Sequence, residues 1–292
     1  MLSLLLPLSS FSLFLFFISS SIPTCLSEDD EAYTKCAPLQ FPCGNNNYEI
    51  RYPFGVGDDR PSYCSYPGYN LTCTDDNLYA VALTNNFTIQ NIIYSTNVLH
   101  IVDPDFTSGG CPLPSRNSTI GSFTFSYITQ ILRERNVSST TFDLFPFNYT
   151  KEVLNVTLYV SCTVPLTESV MSIYYLHELP CLTRGGNYSY FTLQPPTVSE
   201  GLAICGSPVI IPLLKSAADR LLGDGGANFG AVLESGFDVQ WMVGTSWCEG
   251  CENSGGRCGY NESNPLEATC FCRDGKQVAT CPSSKSLLFS LL

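Results

Sequence analysis

Positive charge is scarce in this chain of 292 residues: Lys and Arg number 14, Asp and Glu number 26, and the formal net charge is −12. An acidic chain repels a phosphate backbone, which argues against nucleic acid as a partner. Histidine is rarer still, since His100 and His177 are the two in the sequence. With so little histidine and no G-x-S-x-G motif, we expect no catalytic residue and no enzyme activity.

Apolar runs are too short and too broken to predict a membrane span. Residues 4–18 are largely apolar, but serine interrupts them, and a span needs about 20 apolar residues. Cys25 and Ser27 place small side chains before acidic Glu28, a pattern typical of signal-peptide cleavage. We therefore expect residues 1–27 to be a secretory signal peptide, with a signal anchor as the alternative.

Cysteine, by contrast, is abundant, with 15 residues. Cleavage after Ser27 would remove Cys25 and leave an even number, which predicts complete disulfide pairing in an oxidising compartment. The pairing cannot be deduced from the spacing, but the first five cysteines are odd in number, so one must pair outside that cluster. A zinc site near the carboxyl end is the alternative, and secretion favours disulfides without metal. The expected disulfide cysteines are Cys36, Cys43, Cys64, Cys73, Cys111, Cys162, Cys181, Cys205, Cys248, Cys251, Cys258, Cys270, Cys272 and Cys281.

Glycosylation sequons are dense and agree with a secreted chain. Charged residues make up 14% of the sequence, and N-linked glycans would keep so weakly charged a surface soluble. The N-x-S/T sequons, each an expected glycosylation site, are Asn70, Asn86, Asn117, Asn136, Asn148, Asn155, Asn187 and Asn261.

Alternation of apolar and polar residues dominates the periodicity. It predicts half-buried strands over residues 48–52, 79–83, 98–102, 123–127 and 154–160. Helical spacing is confined to residues 213–222 and 228–235, and glycine follows each of these segments. The expected fold is mainly β and disulfide-rich, with two Cys-rich lobes and one or two short helices.

Two ordered series of residues resemble one known family. The first holds Ile50-Arg51-Tyr52-Pro53-Phe54 between cysteines and ends at Cys111-Pro112, and it resembles the galacturonan-binding domain of plant wall-associated receptor kinases. The second runs through Phe237-x-Val239-x-Trp241, Cys248-x2-Cys251 and Phe271-Cys272, and it resembles the carboxy-terminal domain of the same family. The most similar subgroup is that of the leaf-rust-resistance-locus-like receptor kinases.

The resemblance divides the chain into a signal peptide, a galacturonan-binding-like Cys-rich domain (28–114), a β-rich connecting segment (115–160), a wall-associated-kinase C-terminal-like Cys-rich domain (161–281) and a tail (282–292). It implies a secreted, apoplastic ectodomain that meets cell-wall pectin. In the family a membrane helix and a kinase domain usually follow. We therefore expect either a soluble form or part of a longer receptor at the extracellular face of the plasma membrane.

The charge balance of residues 36–114 limits how pectin could bind there. Two cations stand against seven acidic residues, so long-range attraction of a polyanion is unfavourable. Binding would depend on local Arg–carboxylate contacts, on aromatic stacking against sugar rings, or on calcium that bridges carboxylates; no other cofactor is expected. We expect weak binding to de-esterified galacturonan. The candidate ligand-binding residues are Arg51, Tyr52, Arg60, Tyr63, Tyr66 and Tyr69.

Two other functional interpretations stay open. One is a protein-interaction module whose partner is a co-receptor or a pathogen effector in defence signalling. The other is a secreted hydrolase, for which the acidic pairs would supply two carboxylates. Those pairs could also ligate calcium, but such pairs are more typical of solvated turns. They are Asp58-Asp59, Asp75-Asp76 and Asp103-x-Asp105.

Overall fold

The computed structural model describes residues 29–80, 83, 86–107, 109–120, 147–195 and 202–282. Within these ranges the chain forms five short helices and sixteen strands, so the mainly β fold class is confirmed. The helices are α1 (Glu31–Lys35), α2 (Glu168–Ile173), α3 (Lys215–Gly223), α4 (Phe229–Glu234) and α5 (Thr245–Asn253).

The strands build four sheets. In chain order they are β1 (Leu39–Cys43), β2 (Asn46–Ile50), β3 (Gly55–Val56), β4 (Asn70–Thr74), β5 (Asn77–Ala80), β6 (Thr88–Ile93), β7 (Val98–Val102), β8 (Phe147–Tyr149), β9 (Val153–Cys162), β10 (His177–Glu178), β11 (Tyr188–Thr192), β12 (Val209–Leu214), β13 (Phe237–Trp241), β14 (Arg257–Asn261), β15 (Asn264–Cys272) and β16 (Gly275–Gln277).

The first lobe is a seven-stranded sheet with the order β3-β4-β5-β6-β7-β13-β8, joined by the β1-β2 hairpin. Strand β13 comes from near the carboxyl end of the chain and pairs antiparallel with both β7 and β8. The side chains of His100 and Asp238 meet across this junction, with 2.7 Å between Nδ1 and Oδ1. Apolar residues from distant parts of the chain, including Phe54, Leu99 and Trp241, share one core.

The second lobe is a four-stranded sheet with the order β10-β11-β9-β12, and α3 and α4 pack against it. Both predicted helices are confirmed, although α3 begins at Lys215 because the apolar residues Leu213 and Leu214 complete strand β12. Ala217, Ala218 and Leu221 form the buried face of α3. The chain leaves this lobe after α4 and returns to the first sheet as strand β13.

The carboxyl-terminal strands β14, β15 and β16 form a small sheet that packs back against the amino-terminal helix α1. The ring of Tyr63 lies edge-on to that of Phe271, with 5.5 Å between ring centroids. The backbone nitrogen of Asp30 donates to the carbonyl of Arg273 at 2.9 Å. The two cysteine-rich ends of the sequence are therefore in contact.

All fourteen predicted disulfide cysteines are paired. The odd cysteine of the first cluster is Cys111, which bonds to Cys181 and so ties the segment after the first sheet to the second lobe. The other pairs are Cys36–Cys64, Cys43–Cys73, Cys162–Cys205, Cys248–Cys258, Cys251–Cys270 and Cys272–Cys281.

The predicted strands can be compared with the observed strands within the described residues. Residues 98–102 form β7 as predicted, residues 154–160 lie within β9, and the strand predicted over 48–52 is β2, which ends at Ile50. Of the strand predicted over 79–83, Tyr79 and Ala80 lie in β5 and Leu83 lies outside any strand, whereas the strand predicted over 123–127 falls outside the described residues. No helix in the described ranges has the length and apolar character needed to cross a bilayer.

Candidate functional site

A cleft of about 880 Å³ lies where the first lobe meets the segment from β13 to α5. One wall is made by β2 and by β6 with the turn after it. The other wall is made by the end of β13, the link at Val243 and Gly244, and helix α5. Strand β13 brings the second wall to this place, because its pairing with β7 fixes Trp241 beside the turn that follows β6.

Arg51 is the one cation among the described residues that line this cleft. Its guanidinium pairs with Glu49, which stands two residues earlier on the hairpin, through a bond of 2.6 Å between Nε and Oε1. The same guanidinium lies over the ring of Tyr94, 5.0 Å from the centroid. Both ion-pair partners are more than a third exposed, so a ligand can reach them.

Tyr94 fixes the backbone at the Arg51 side of the cleft. Its hydroxyl accepts from the backbone nitrogen of Arg51 at 2.9 Å and donates to the carbonyl of Glu49 at 3.1 Å. The ring packs edge-on against Trp241 at 5.6 Å between centroids. Burial raises the pKa of Tyr94 far above its ordinary value, so the hydroxyl stays protonated and these hydrogen bonds within the first wall persist into alkaline pH.

The rim of the first wall is rich in neutral hydrogen-bonding groups. Asn47 donates to the Gln40 side-chain oxygen at 3.0 Å, and Gln40 donates in turn to Glu49 at 3.4 Å. Asn91 and Asn97 also line the cleft. Amide side chains offer both donors and acceptors, which matches the hydroxyl groups of a sugar.

The opposite wall carries uncompensated negative charge. Glu249 and Glu252 project from α5, one turn apart, and both are exposed. No described cation forms an ion pair with either carboxylate. Together with Glu49, the cleft is lined by three carboxylates and one guanidinium.

Two of the six predicted ligand-binding residues, Arg51 and Tyr52, line the cleft, and four do not. Tyr52 forms part of the floor and is 6% exposed; its ring packs edge-on against Trp247 at 5.4 Å. Burial raises its pKa far above the ordinary value for tyrosine. The sugar-stacking role predicted for Tyr52 therefore has little exposed ring to act through.

Arg60 is a buried structural residue with 3% exposure. Its guanidinium donates to the carbonyl oxygens of Ala37 at 2.6 Å, Cys36 at 3.1 Å and Cys64 at 3.2 Å, and so clamps the backbone around the Cys36–Cys64 disulfide. Burial lowers its pKa to about 10, which leaves it charged at neutral pH. Because its guanidinium already donates to these carbonyl oxygens and does not line the cleft, Arg60 is not part of the candidate ligand site.

The remaining predicted tyrosines pack within the protein. Tyr69 is 3% exposed and lies against Phe54 and Phe147, and Tyr66 meets Tyr69 edge-on at 5.7 Å. Tyr63 packs against Phe271. The tyrosines Tyr52, Tyr63, Tyr66 and Tyr69 are spread over several packing contacts and do not form one sugar-stacking surface.

The acidic pairs hold the local backbone. Asp103 is 2% exposed and accepts from Ser118 at 2.5 Å, from Arg116 at 3.0 Å and from the backbone nitrogen of Asp105 at 3.0 Å. Asp75 and Asp76 form a turn with positive φ angles of 49° and 62° between β4 and β5. These residues act in local structure, as expected for turn positions.

The described sequons lie where a glycan could be attached. Six of the sequon asparagines are exposed and Asn261 is half-buried, while Asn136 lies outside the described residues. None of the asparagines that line the cleft begins a sequon. Glycosylation stays a prediction. The exposed six are Asn70, Asn86, Asn117, Asn148, Asn155 and Asn187.

Sequence reasoning missed most of the cleft. Glu49 is one of the seven acidic residues counted between residues 36 and 114, and Tyr94, Glu249 and Glu252 belong to no motif. The Phe237-x-Val239-x-Trp241 pattern carried the family resemblance, but β13 was not predicted there, and one sequence gives no means of finding its partner β7. The pairing between distant strands is what creates the site.

Two family models match the chain. The galacturonan-binding domain of wall-associated receptor kinases matches residues 36–103, and the C-terminal domain of wall-associated receptor kinases matches residues 181–275. The first matched region supplies β2, β6 and the turn after β6, and the second supplies β13 and α5. Each matched region thus forms one wall of the cleft.

Curated relatives from Arabidopsis thaliana cover most of the chain. Leaf rust 10 disease-resistance locus receptor-like protein kinase-like 2.1 is 26% identical over 267 residues, which are 89% of this chain and 37% of the relative. Leaf rust 10 disease-resistance locus receptor-like protein kinase-like 1.2 is 25% identical over 280 residues, which are 93% of this chain and 37% of the relative. RING-H2 finger protein ATL22 is 32% identical over 133 residues, which are 41% of this chain and 33% of the relative. The chain spans little more than a third of the two kinase relatives, and no solved structure matches it.

Proposed function

Because the chain carries the galacturonan-binding and C-terminal domains of the wall-associated receptor kinases, we propose that it is an ectodomain whose cleft binds a galacturonan-type polysaccharide. The observation that carries this proposal is that the two matched domains meet at the cleft and supply one wall each. A volume of about 880 Å³ lies within the range of about 300–1,000 Å³ that is usual for ligand sites.

The chemistry of the first wall suits a uronic sugar. Arg51 is held over Tyr94 with part of its guanidinium exposed, and a guanidinium fork matches a carboxylate. Asn47, Asn91 and Asn97 offer amides to ring hydroxyls. A sugar carboxylate that accepts from Arg51 would lie beside the negative charge of Glu49, and this repulsion supports weak binding. Calcium that bridges the sugar and cleft carboxylates is a further proposal, which a chelator tests.

The binding activity is separable from the activities for which the relatives are named. One group of relatives is named for a receptor-like protein kinase and another for a RING-H2 finger, yet both align with this chain. A region shared by such differently named proteins is expected to contribute something common to them, such as recognition. Seven disulfides and a predicted signal peptide support secretion to the apoplast, either in soluble form or as the outer part of a receptor.

Titration of the secreted chain with oligogalacturonides tests this function. Arg51→Ala should weaken binding by about 10-fold or more if the guanidinium contacts the sugar, since such a contact contributes about 1.5–3 kcal/mol. Arg184→Ala is the matched control, because Arg184 is exposed and does not line the cleft. Each titration is run with calcium and with a chelator.

The outcomes separate the proposals. Equal loss in both arginine variants would show a general effect of charge and contradict the cleft as the site. A loss with chelator in the unmodified chain would support a calcium bridge. No binding at millimolar sugar, in either calcium condition, would contradict the polysaccharide proposal.

A protein partner is the second candidate function, and one surface favours it. Ile173 and Tyr175 are each 66% exposed and Val164 is 48% exposed, and all three lie at or near helix α2, which has no buried residue. Apolar side chains grouped on a surface often mark interaction sites. Ile173→Ser with Tyr175→Ser should abolish binding of a co-receptor or effector while leaving sugar binding intact.

A further inference from the structure

We propose that the cleft prefers galacturonan whose carboxyl groups are methyl-esterified, and therefore uncharged, over the free acid. This inference rests on the proposed function of the same cleft and specifies the form of the sugar. It follows from the placement of charge in the two walls of the cleft.

The positive charge of the cleft is already balanced by an adjacent carboxylate. Arg51 is paired with Glu49 at 2.6 Å, and the remaining N–H groups of its guanidinium can still donate to a ligand. A free sugar carboxylate that accepts from Arg51 therefore lies beside the negative charge of Glu49, which opposes the contact. A neutral ester can accept through its carbonyl oxygen from the same guanidinium, or from an asparagine amide, without this repulsion.

The opposite wall repels a carboxylate. Glu249 and Glu252 face the cleft, and no described cation pairs with either of them. The whole chain has a formal net charge of −12, so its long-range field has the same sign as that of the wall. A chain of free galacturonates carries one such charge per sugar, and every sugar within the cleft would meet this repulsion.

The cleft also offers an apolar contact for the ester methyl group. Ile92 and Ile93 line the first wall beside Tyr94, and Ile93 is 36% exposed although it is a large apolar residue. A methyl ester placed there would cover apolar surface that otherwise meets water. Removal of the charge and contact with the methyl group therefore favour the same form of the sugar.

The experiment compares two oligogalacturonides of equal length, one fully methyl-esterified and one free acid. The full secreted chain is titrated with each in the presence of a chelator, at ionic strengths of about 0.05 M and 0.5 M. We expect the ester to bind at least about threefold more tightly, with little dependence on salt. Binding of the free acid should strengthen as salt screens the repulsion.

A charge-neutralised wall provides the decisive variant. Glu249→Gln with Glu252→Gln should tighten binding of the free acid by about 3- to 10-fold and change binding of the uncharged ester by less, so that the ratio of the two affinities falls. The matched control is Glu152→Gln with Glu178→Gln, which removes the same charge from exposed residues outside the cleft. This control should change neither affinity appreciably.

Each contrary result has its own meaning. Equal or tighter binding of the free acid, or a loss of its binding at high salt, would overturn the ester preference and leave the proposed function standing. An equal gain in the wall and control variants would contradict the cleft wall as the cause of the preference, since the effect would then come from net charge. If neither sugar binds at millimolar concentration, the proposed function fails and the preference fails with it.

Discussion

Gly244 lies against the ring of Tyr52. A Cβ atom added to Gly244 would stand 2.4 Å from Cε1 of Tyr52, and the glycine has a φ angle of +70° that a residue with a side chain rarely adopts. Gly244 is the N-cap residue immediately before helix α5, and Tyr52 forms the floor of the cleft next to Arg51. The contact therefore fixes the distance between the two walls.

Gly244→Ala is expected to lower the free energy of unfolding by about 2–4 kcal/mol, because it adds both a steric clash and backbone strain. Chemical denaturation measures the change. Gly223→Ala is the control, since a Cβ there meets nothing within 4 Å and the residue ends helix α3. We expect that control to be neutral or slightly stabilising, and a comparable loss in both variants would contradict the contact with Tyr52 as the cause.

Arg60→Lys separates a structural role from a ligand-binding role. Lysine cannot reproduce the guanidinium fork that reaches three carbonyl oxygens, so at least one buried acceptor would lose its donor. We expect a loss of about 1–3 kcal/mol in the free energy of unfolding and unchanged affinity for oligogalacturonide. Arg184→Lys, at an exposed position, should change neither quantity. Reduced affinity of Arg60→Lys at full stability would instead return Arg60 to the ligand site.

The disulfides are expected to differ in their contribution to stability. Cys111–Cys181 closes a sequence separation of 70 residues, whereas Cys272–Cys281 closes one of 9. Chain entropy predicts a loss of about 4 kcal/mol for the double alanine variant of the first pair and about 2.5 kcal/mol for that of the second. Denaturation of the two variants, side by side, tests the order. A larger loss for the Cys272–Cys281 variant would show that local packing, and not loop closure, determines how much each disulfide stabilises the fold.

Alkaline pH should destabilise the fold through its buried tyrosines. Burial raises the pKa of Tyr149 to about 12, while an unfolded tyrosine ionises near 10. The native state therefore holds its proton where the unfolded state loses it, and the free energy of unfolding is fully present below about pH 10 and declines as pH rises toward 12. Tyr149→Phe, measured by denaturation between about pH 9 and 11, should show a shallower decline.

Tyr149→Phe is also expected to differ from the unmodified protein at lower pH, where the tyrosine is not ionised. The hydroxyl of Tyr149 accepts from the backbone nitrogen of Ile120 at 2.9 Å, so its removal should cost about 1 kcal/mol at pH 9. The gap between the two proteins should narrow as pH rises. A gap that stays constant would contradict the contribution of Tyr149 ionisation.

Local features of the fold were predictable from the sequence. A short apolar run identified β7, alternation identified β9, and apolar spacing identified α3 and α4. Both faces of these two strands are largely buried, so the half-buried strands that the sequence predicted there are more deeply buried than expected. Helix α5 was not predicted, because its segment holds two cysteines and a glycine and shows no apolar stripe; its disulfides to Cys258 and Cys270 hold it in place. The number of disulfides followed from counting, and their connectivity did not.

The candidate site was far less predictable. Arg51 was identified by its charge, and the structure places it in the cleft, while Arg60 looked equivalent in the sequence and is buried. What separates the two is burial, which depends on contacts across more than twenty residues. The second wall depends on the pairing of β13 with β7, between segments more than 130 residues apart, and no local pattern encodes such a pairing.

The position of β13 sets the order in which the protein can be completed during synthesis. Strand β7 emerges from the ribosome as residues 98–102 and β8 as residues 147–149, yet the strand that joins them is made as residues 237–241. Until then each of the two strands has an unpaired edge, and such edges readily pair with other chains. The lobe nearest the amino terminus is thus completed only after the second lobe has been translated.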